Sequence, residues 1–350
     1  MRKTLAAAAA AGAALVLALT GCSSSTAPTT SGSGSAASGT GDGSFKAGTK
    51  FGYAAPVAAQ PGQQQFDSGA KAASASVGWE YTMYDSNINP STQISNITTM
   101  IQRQMDVVGS WTLDPGATVG IYKQAENAGI PIVGVNSEGE GISATLWQES
   151  STCAPGGPME QSAALYAKAH PGGDIITVGL DGVPSIDAVV KCFTEAAKAA
   201  GLNIVSHVSN TTDQAAGAQK LVADLLTRYP DVGGVWAYND ASALGASAAV
   251  IAAGKTVYDM SNDGVVVTGS NGDADAVKAV QEGRLTGTWD PNNPEAGWLF
   301  VKLANEVLNG TAPKNTVLKS TFVTKETIGQ YVPPADRQIT FDTLDYTTSN

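Results

Sequence analysis

The chain of 350 residues contains two histidines, His170 and His207, and three cysteines. That scarcity excludes a structural zinc site built from several Cys or His ligands. Basic residues are short as well: 20 Lys and Arg stand against 31 Asp and Glu, a net charge of −11. A nucleic-acid binder needs a basic footprint, and this composition supplies none. There is no Gly-x-Ser-x-Gly elbow, no Walker loop and no dinucleotide-binding glycine fingerprint. His170 lies in a loop and His207 inside a strand, positions that suit surface or core better than catalysis. Glu138 and Glu140 could form an acid–base pair, but a loop of solvated charges accounts for them. The reading therefore assigns no catalytic residue, no metal ligand and no cofactor. Beyond residue 22 no apolar run approaches the ~20 residues that span a bilayer. What the chain does have is 43% hydrophobic residues, enough for a sizeable core, and a length that suits two domains.

Residues 1–21 form a leader. Arg2 and Lys3 give a cationic start, Thr4–Leu19 is apolar, and Leu19-Thr20-Gly21-Cys22 closes it. Small residues at the end mark a secretory signal. The following cysteine resembles a bacterial lipoprotein signal, which implies cleavage before Cys22 and lipidation of its thiol. Residues 22–49 are rich in Ser, Gly and Thr. They bury too little to offset ordering entropy and read as a flexible tether with a reach of about 30 Å. The expected location is the outer face of the cell membrane, lipid-anchored.

From Lys50 the pattern alternates short apolar runs with stretches of helical period. Strands are expected at 51–54, 80–85, 106–111 and 130–136, with helices at 63–77, after Pro90 and at 117–128. Asn89-Pro90 supplies a cap and a first-turn proline. Residues 139–151 read as a break. A second array follows, with strands at 174–180, 204–209, 233–238, 265–269 and 286–289. Its helices include 184–200, 215–228, 241–253, 274–282 and 295–308. Serial βα units predict parallel sheets covered by helices. Two such arrays predict two Rossmann-like lobes with a cleft, and ligands of such sheets sit beyond the strand carboxyl ends.

The residues at those ends are amides, carboxylates and, nearby, indoles. Asn136, Asn239, Asn271, Asp290 and Asn292 follow strands, and Trp147, Trp236 and Trp289 add flat apolar faces. A hydroxyl both donates and accepts, so such a set suits a hydroxyl-rich ligand such as a sugar. The competing explanation is local, because Asn and Asp at strand-to-helix junctions also cap helices and shape turns. At 239–240 the expected division is that Asp240 caps the helix and Asn239 points into the cleft.

Four segments carry a resemblance: Asp85-Ser86-Asn87-Ile88-Asn89-Pro90; Asn127-Ala128-Gly129-Ile130-Pro131-Ile132; Tyr229-Pro230-Asp231-Val232 with Ala237-Tyr238-Asn239-Asp240-Ala241-Ser242-Ala243-Leu244-Gly245; and Ala276-Val277-Lys278-Ala279-Val280-Gln281-Glu282-Gly283-Arg284-Leu285. In these the chain resembles the ribose-binding, type I periplasmic substrate-binding proteins of sugar ABC transporters, over roughly residues 50–325. The resemblance implies two hinge-connected lobes joined by three crossings, near 147–150, 288–291 and 322–325. It assigns 50–148 plus 290–323 to the first lobe and 149–289 plus 324–350 to the second. It carries ligand contacts onto Asn136, Asn239 and Asn271, and onto Asp290 or Asn292. The first loop, Ala59-Gln60-Pro61-Gly62-Gln63-Gln64, departs from the family by having no aromatic pair. Gln63 then joins the candidate binders, with Trp147 or Trp289 replacing the aromatics.

The expected activity is capture of a sugar or polyol and its delivery to an ABC permease, by a monomer with no nucleic-acid partner. Two alternatives stand beside it: a sensor presenting its ligand to a membrane receptor, and a secreted enzyme acting on a carbohydrate. Cys153 and Cys192 remain once Cys22 is lipidated, and outside the cytoplasm they are expected to form a disulfide.

Overall fold

A computed structural model describes residues 44–350. The leader 1–21, Cys22 and the expected tether up to residue 43 lie outside the described residues; its last residues, 44–49, are packed rather than loose, with Phe45 stacked on Phe341 and Thr49 buried. Among the described residues no helix is long and apolar enough to cross a membrane.

Two sheets organise the body. The first is built on β1 (Lys50–Ala55), β2 (Glu80–Asp85), β3 (Val107–Ser110), β4 (Ile132–Val135) and β5 (Ile142–Gln148), side by side in the order β2-β1-β3-β4-β5 and all parallel. The second is built on β6 (Asp174–Gly179), β7 (Asn203–Ser209), β8 (Gly234–Ala237), β9 (Val266–Ser270) and β10 (Gly287–Asp290). Their order, β7-β6-β8-β9-β10, repeats the winding of the first. Central strands such as β3, β4 and β8 are buried along their whole length, as expected for parallel sheets with helices on both faces.

Local chemistry starts the helices. In α2 (Pro90–Gln102) the Asn89 side chain accepts from the Thr92 N–H at 3.0 Å. In α3 (Pro115–Asn127) Asp114 does the same for Ala117. Proline opens both, and also α1 (Pro61–Ser76), α4 (Pro158–Ala169) and α5 (Pro184–Ala199), where its fixed φ and missing N–H are harmless. Later in the chain, α9 (Asn293–Leu308) packs closely on α1. Glycines permit that approach. A Cβ at Gly69 would stand 2.1 Å from the Pro294 carbonyl, and one at Gly297 would stand 2.3 Å from that of Phe66.

Two expectations are corrected. The presumed break at 139–151 contains β5. Gly139 and Gly141 turn the chain at positive φ, and Ile142–Gln148 then pairs with β4. The lobe boundaries also shift. Asp290 ends β10 in the second sheet, and β12 (Thr321–Thr324) pairs antiparallel with β10. Between them β11 (Asn315–Leu318) joins β5 in the first sheet. The C-terminal residues do not all belong to the second lobe. Tyr331 bonds there, to the Gly272 carbonyl and Asp290, but β13 (Tyr346–Ser349) pairs with β11. Phe341, Leu344 and Tyr346 pack on the first-lobe core because apolar partners are there: Phe341 stacks on Phe45 and meets Trp298 edge-on. The chain thus passes between the lobes a fourth time, beyond the expected three.

Cys153, just ahead of α4, and Cys192, on α5, form a disulfide with Cα atoms 5.5 Å apart.

Candidate functional site

The carboxyl ends of the two sheets face each other, and the loops leaving them enclose a cavity of about 120 Å³. In both sheets the strand order reverses at the first strand, and this switch point is where such folds leave room for a ligand. The lobes touch directly around the cavity. Gln60 donates through Nε2 to Asp213 Oδ2 at 2.5 Å and to its carbonyl at 3.0 Å. Trp111 donates through Nε1 to Ser185 Oγ at 2.9 Å. Leu113 of the first lobe packs with Leu180 and Val183 of the second, flanked by Ile88 and Ile186. These residues follow β2, β3 and β6, the strands far from the crossings, so they close the mouth.

Five of the expected residues line the cavity: Gln63, Asn239, Asn271, Trp236 and Trp289. Gln63 uses Oε1 to accept from the Tyr53 hydroxyl at 3.3 Å, which leaves its amide NH2 for a ligand. Trp289 stacks on Phe322 at 4.5 Å and donates its indole N–H to Ser162 at 2.8 Å. Its ring face is what it can offer. Four others are not brought to the cavity wall. Asn136 is buried and pairs reciprocally with Gln148: its Nδ2 donates to Gln148 Oε1, and its Oδ1 accepts from the Gln148 N–H. Gln148 lines the cavity in its place and donates onward to Asn293. Trp147 points its N–H to Asn315 on the neighbouring strand. Asp290, fully buried, and Asn292 both bind Arg337 at the second crossing.

Of the division expected at 239–240, Asn239 does reach the cavity, but the cap falls to it and not to Asp240. Asn239 caps α7 (Asp240–Ala252), its Oδ1 accepting from the Ser242 N–H at 2.9 Å. Its Nδ2 donates to Asp213 at 2.7 Å. Asp240 is buried and faces the sheet, accepting from the Thr288 hydroxyl and the Asp273 N–H. Both residues are buried, and the partners each side chain finds decide which of them caps.

Asp213 organises the second-lobe edge. Its carboxylate accepts from Gln60, Asn239 and the Tyr238 hydroxyl. Burial and this neighbouring charge hold the Tyr238 phenol far above its ordinary pKa, so it donates at any physiological pH. Behind the cavity, burial and the proximity of Asp273 raise Asp240. Burial and Asp290 push Asp273 up to about 7.

Sequence reasoning missed Gln60, Trp111 and Asp213 as cleft residues. Trp236, named with the other indoles as an aromatic candidate, lies within β8, stacks on Phe193 at 4.7 Å and lines the cavity. The two histidines are structural: His170 bonds the Gly264 carbonyl, and His207 bonds Thr177 and Asp181. Among the described residues there is no group of three or more His, Cys, Asp or Glu placed to hold a metal.

Comparison with known proteins places this geometry. The family model described as "periplasmic binding protein domain" matches residues 51–312. The ribose import binding protein RbsB of Escherichia coli is 28% identical over 246 residues, 69% of this chain and 79% of that one. An ABC transporter solute-binding protein from Bacillus halodurans, solved with bound myo-inositol, superposes with a TM-score of 0.70 at 22% identity, covering 85% of this chain and 100% of that one. The Caulobacter myo-inositol binding protein gives 0.73 at 20%, covering 83% and 97%. The paired sheets, the cleft at their carboxyl ends and the match over most of the body agree: the chain belongs to the periplasmic binding protein family.

Proposed function

We propose that the protein captures one neutral monosaccharide or cyclic polyol between its lobes and delivers it to an ABC importer. The observation that carries this reading is the cavity between the sheets at the switch points, lined by amides and indoles. Its modest volume, about 120 Å³, suits a small ligand such as one pentose, hexose or inositol. No Lys, Arg or His lines it, so a sugar acid or sugar phosphate would bury its charge unpaired, at high cost. The relatives support the class: one is named for ribose import, and two solved structures hold myo-inositol.

Binding requires no bond chemistry. The lobes part about the crossings, the ligand enters, and closure restores the bonds between Gln60 and Asp213 and between Trp111 and Ser185. The closed form, with both lobe surfaces in register, is what a permease recognises. In this reading Cys22 carries lipid, the tether holds the body outside the membrane, and the protein acts as a monomer.

Calorimetric titration against pentoses, hexoses, inositols and linear polyols tests the reading. Micromolar or tighter binding of one of them, with a smaller radius of gyration on saturation, is the expected result. Binding of none by folded protein, or turnover of the bound sugar, overturns it.

A further inference from the structure

Three side-chain amides form a chain of hydrogen bonds from the first lobe to the second, and main-chain groups stand at both of its ends. It starts at the Gln148 N–H, which donates to Asn136 Oδ1 at 2.9 Å. A main-chain N–H can only donate, so the Asn136 amide is fixed with its oxygen on that side. Asn136 Nδ2 then donates to Gln148 Oε1 at 2.8 Å, and Gln148 Nε2 donates to Asn293 Oδ1 at 2.8 Å. The chain ends where Asn293 Nδ2 meets the Asn271 carbonyl at 3.3 Å, a group that can only accept. Every bond therefore runs in one direction. No amide in the chain can flip alone without setting two donors or two acceptors against each other.

All three side chains are buried. Asn136 follows β4, Gln148 ends β5 at the first crossing, and Asn293 opens α9 just beyond the second. Gln148 and Asn293 line the cavity; Asn136 does not. An amide has two N–H donors and two acceptor lone pairs. Within the chain the Gln148 and Asn293 side chains each spend one of either kind, so each keeps one N–H and one lone pair. A desolvated polar group left unpaired is costly, and a hydroxyl, which donates and accepts, meets both needs.

Given the monosaccharide reading above, on which this inference rests, we propose that Gln148 and Asn293 are ligand contacts at the hinge, each holding a sugar hydroxyl, and that Asn136 is a positioning residue. Asn136 sets which way the two amides face. It acts through Gln148 and touches no ligand.

Calorimetry on the full-length protein tests this, with D-ribose, D-galactose and myo-inositol titrated first and the wider sugar and polyol panel after them. Gln148→Met keeps an unbranched stem and deletes the amide. It should weaken the sugar that wild type binds by about 5- to 150-fold, and Asn293→Ala should do the same. If either variant, shown to be folded by its melting transition, binds as tightly as wild type, the proposal fails while sugar capture stands. Where one of the two does not melt as a folded protein, the other decides. If folded wild type binds nothing in the panel, both readings fail. Asn136→Asp leaves every lining side chain in place. Its carboxylate still accepts from the Gln148 N–H but has no N–H for Gln148 Oε1, so the Gln148 amide turns over. Alone it should weaken binding by about fivefold or more. Added to Gln148→Met it should cost less than about twofold, because the amide it orients is gone. Losses that multiply in the double variant, or no loss in the single one, overturn the positioning role.

Discussion

Replacing Arg337 by methionine removes a charge while keeping most of the aliphatic stem, and the structure indicates what that costs. The Arg337 side chain is 10% exposed. Its Nη2 lies 2.5 Å from Asp290 Oδ2, and Nη1 contacts Glu295 and Asn292. Asp290 is fully buried. Without the guanidinium, its carboxylate keeps only the Tyr331 hydroxyl at 3.0 Å and the Asn292 N–H at 2.7 Å. Breaking a buried pair by removing one partner costs about 3–5 kcal/mol, because an uncompensated charge stays behind. R337M should therefore lose stability in that range in urea unfolding at neutral pH, with fluorescence and far-UV circular dichroism followed together to check that the transition is single. Asp290→Asn in the R337M background should recover much of the loss, since no buried charge is then left alone. A single variant that loses less than about 1 kcal/mol, or a double variant no better than the sum of its parts, would show that water reaches Asp290 and that the reasoning is wrong.

Four further outcomes are expected. Asn239→Ala removes a helix cap and one Asp213 partner, so it should lower stability by about 0.5–2 kcal/mol and weaken ligand binding; unchanged melting would return the cap to Asp240. The protein should gain stability as pH falls from about 7 toward 4. Asp273, held up to about 7 against an ordinary 3.8, binds its proton in the folded state before the unfolded chain does. Asp273→Asn should flatten that slope in melts across the range, and a wild-type slope of the opposite sign would refute the assignment. Reducing the Cys153–Cys192 bridge, which spans 39 residues, should cost up to about 4 kcal/mol by the chain-entropy relation, and an unchanged urea midpoint after reduction would contradict this. Trp111→Phe deletes a bond between the lobes and should raise the ligand dissociation constant about two- to tenfold by calorimetry, with the isolated melting temperature little changed.

The sequence made the βα winding legible because its signals are local. Asn89-Pro90 and Asp114-Pro115 announce helices, and Ile132–Val135 or Val107–Ser110 read as buried strands from composition alone. Strand β5 was hidden by Gly139 and Gly141, which read as breakers, although Ile142–Gln148 has strand character. The antiparallel pairing of β13 with β11 is a long-range choice made by Phe341 and Tyr346 finding Phe45, Trp298 and the first-lobe core. No local pattern records it. In the cleft, residue type narrowed the field and tertiary hydrogen-bond partners made the final choice. Asn239 and Asp240 are equally good caps on paper, and only the fold turns one toward the helix end and the other toward Thr288. Trp236 was legible as an aromatic candidate, whereas Met159, which also lines the cavity, went unread because at helical spacing it is indistinguishable from core.

The placement of the chain ends has a mechanical consequence. Phe45, near the start of the described body, stacks on Phe341 and meets Trp79, while β13 is sewn into the first sheet. Both ends of the described body are therefore anchored in one lobe, and once the contacts around the cavity part, the other is held by its crossings. A pull applied at either end loads the first lobe and leaves the second free to rotate. A dye, a surface linkage or a fused reporter placed at the ends should thus leave the swing unloaded. To report that swing, a probe must be placed on the second lobe instead, for instance on the outer face of α5.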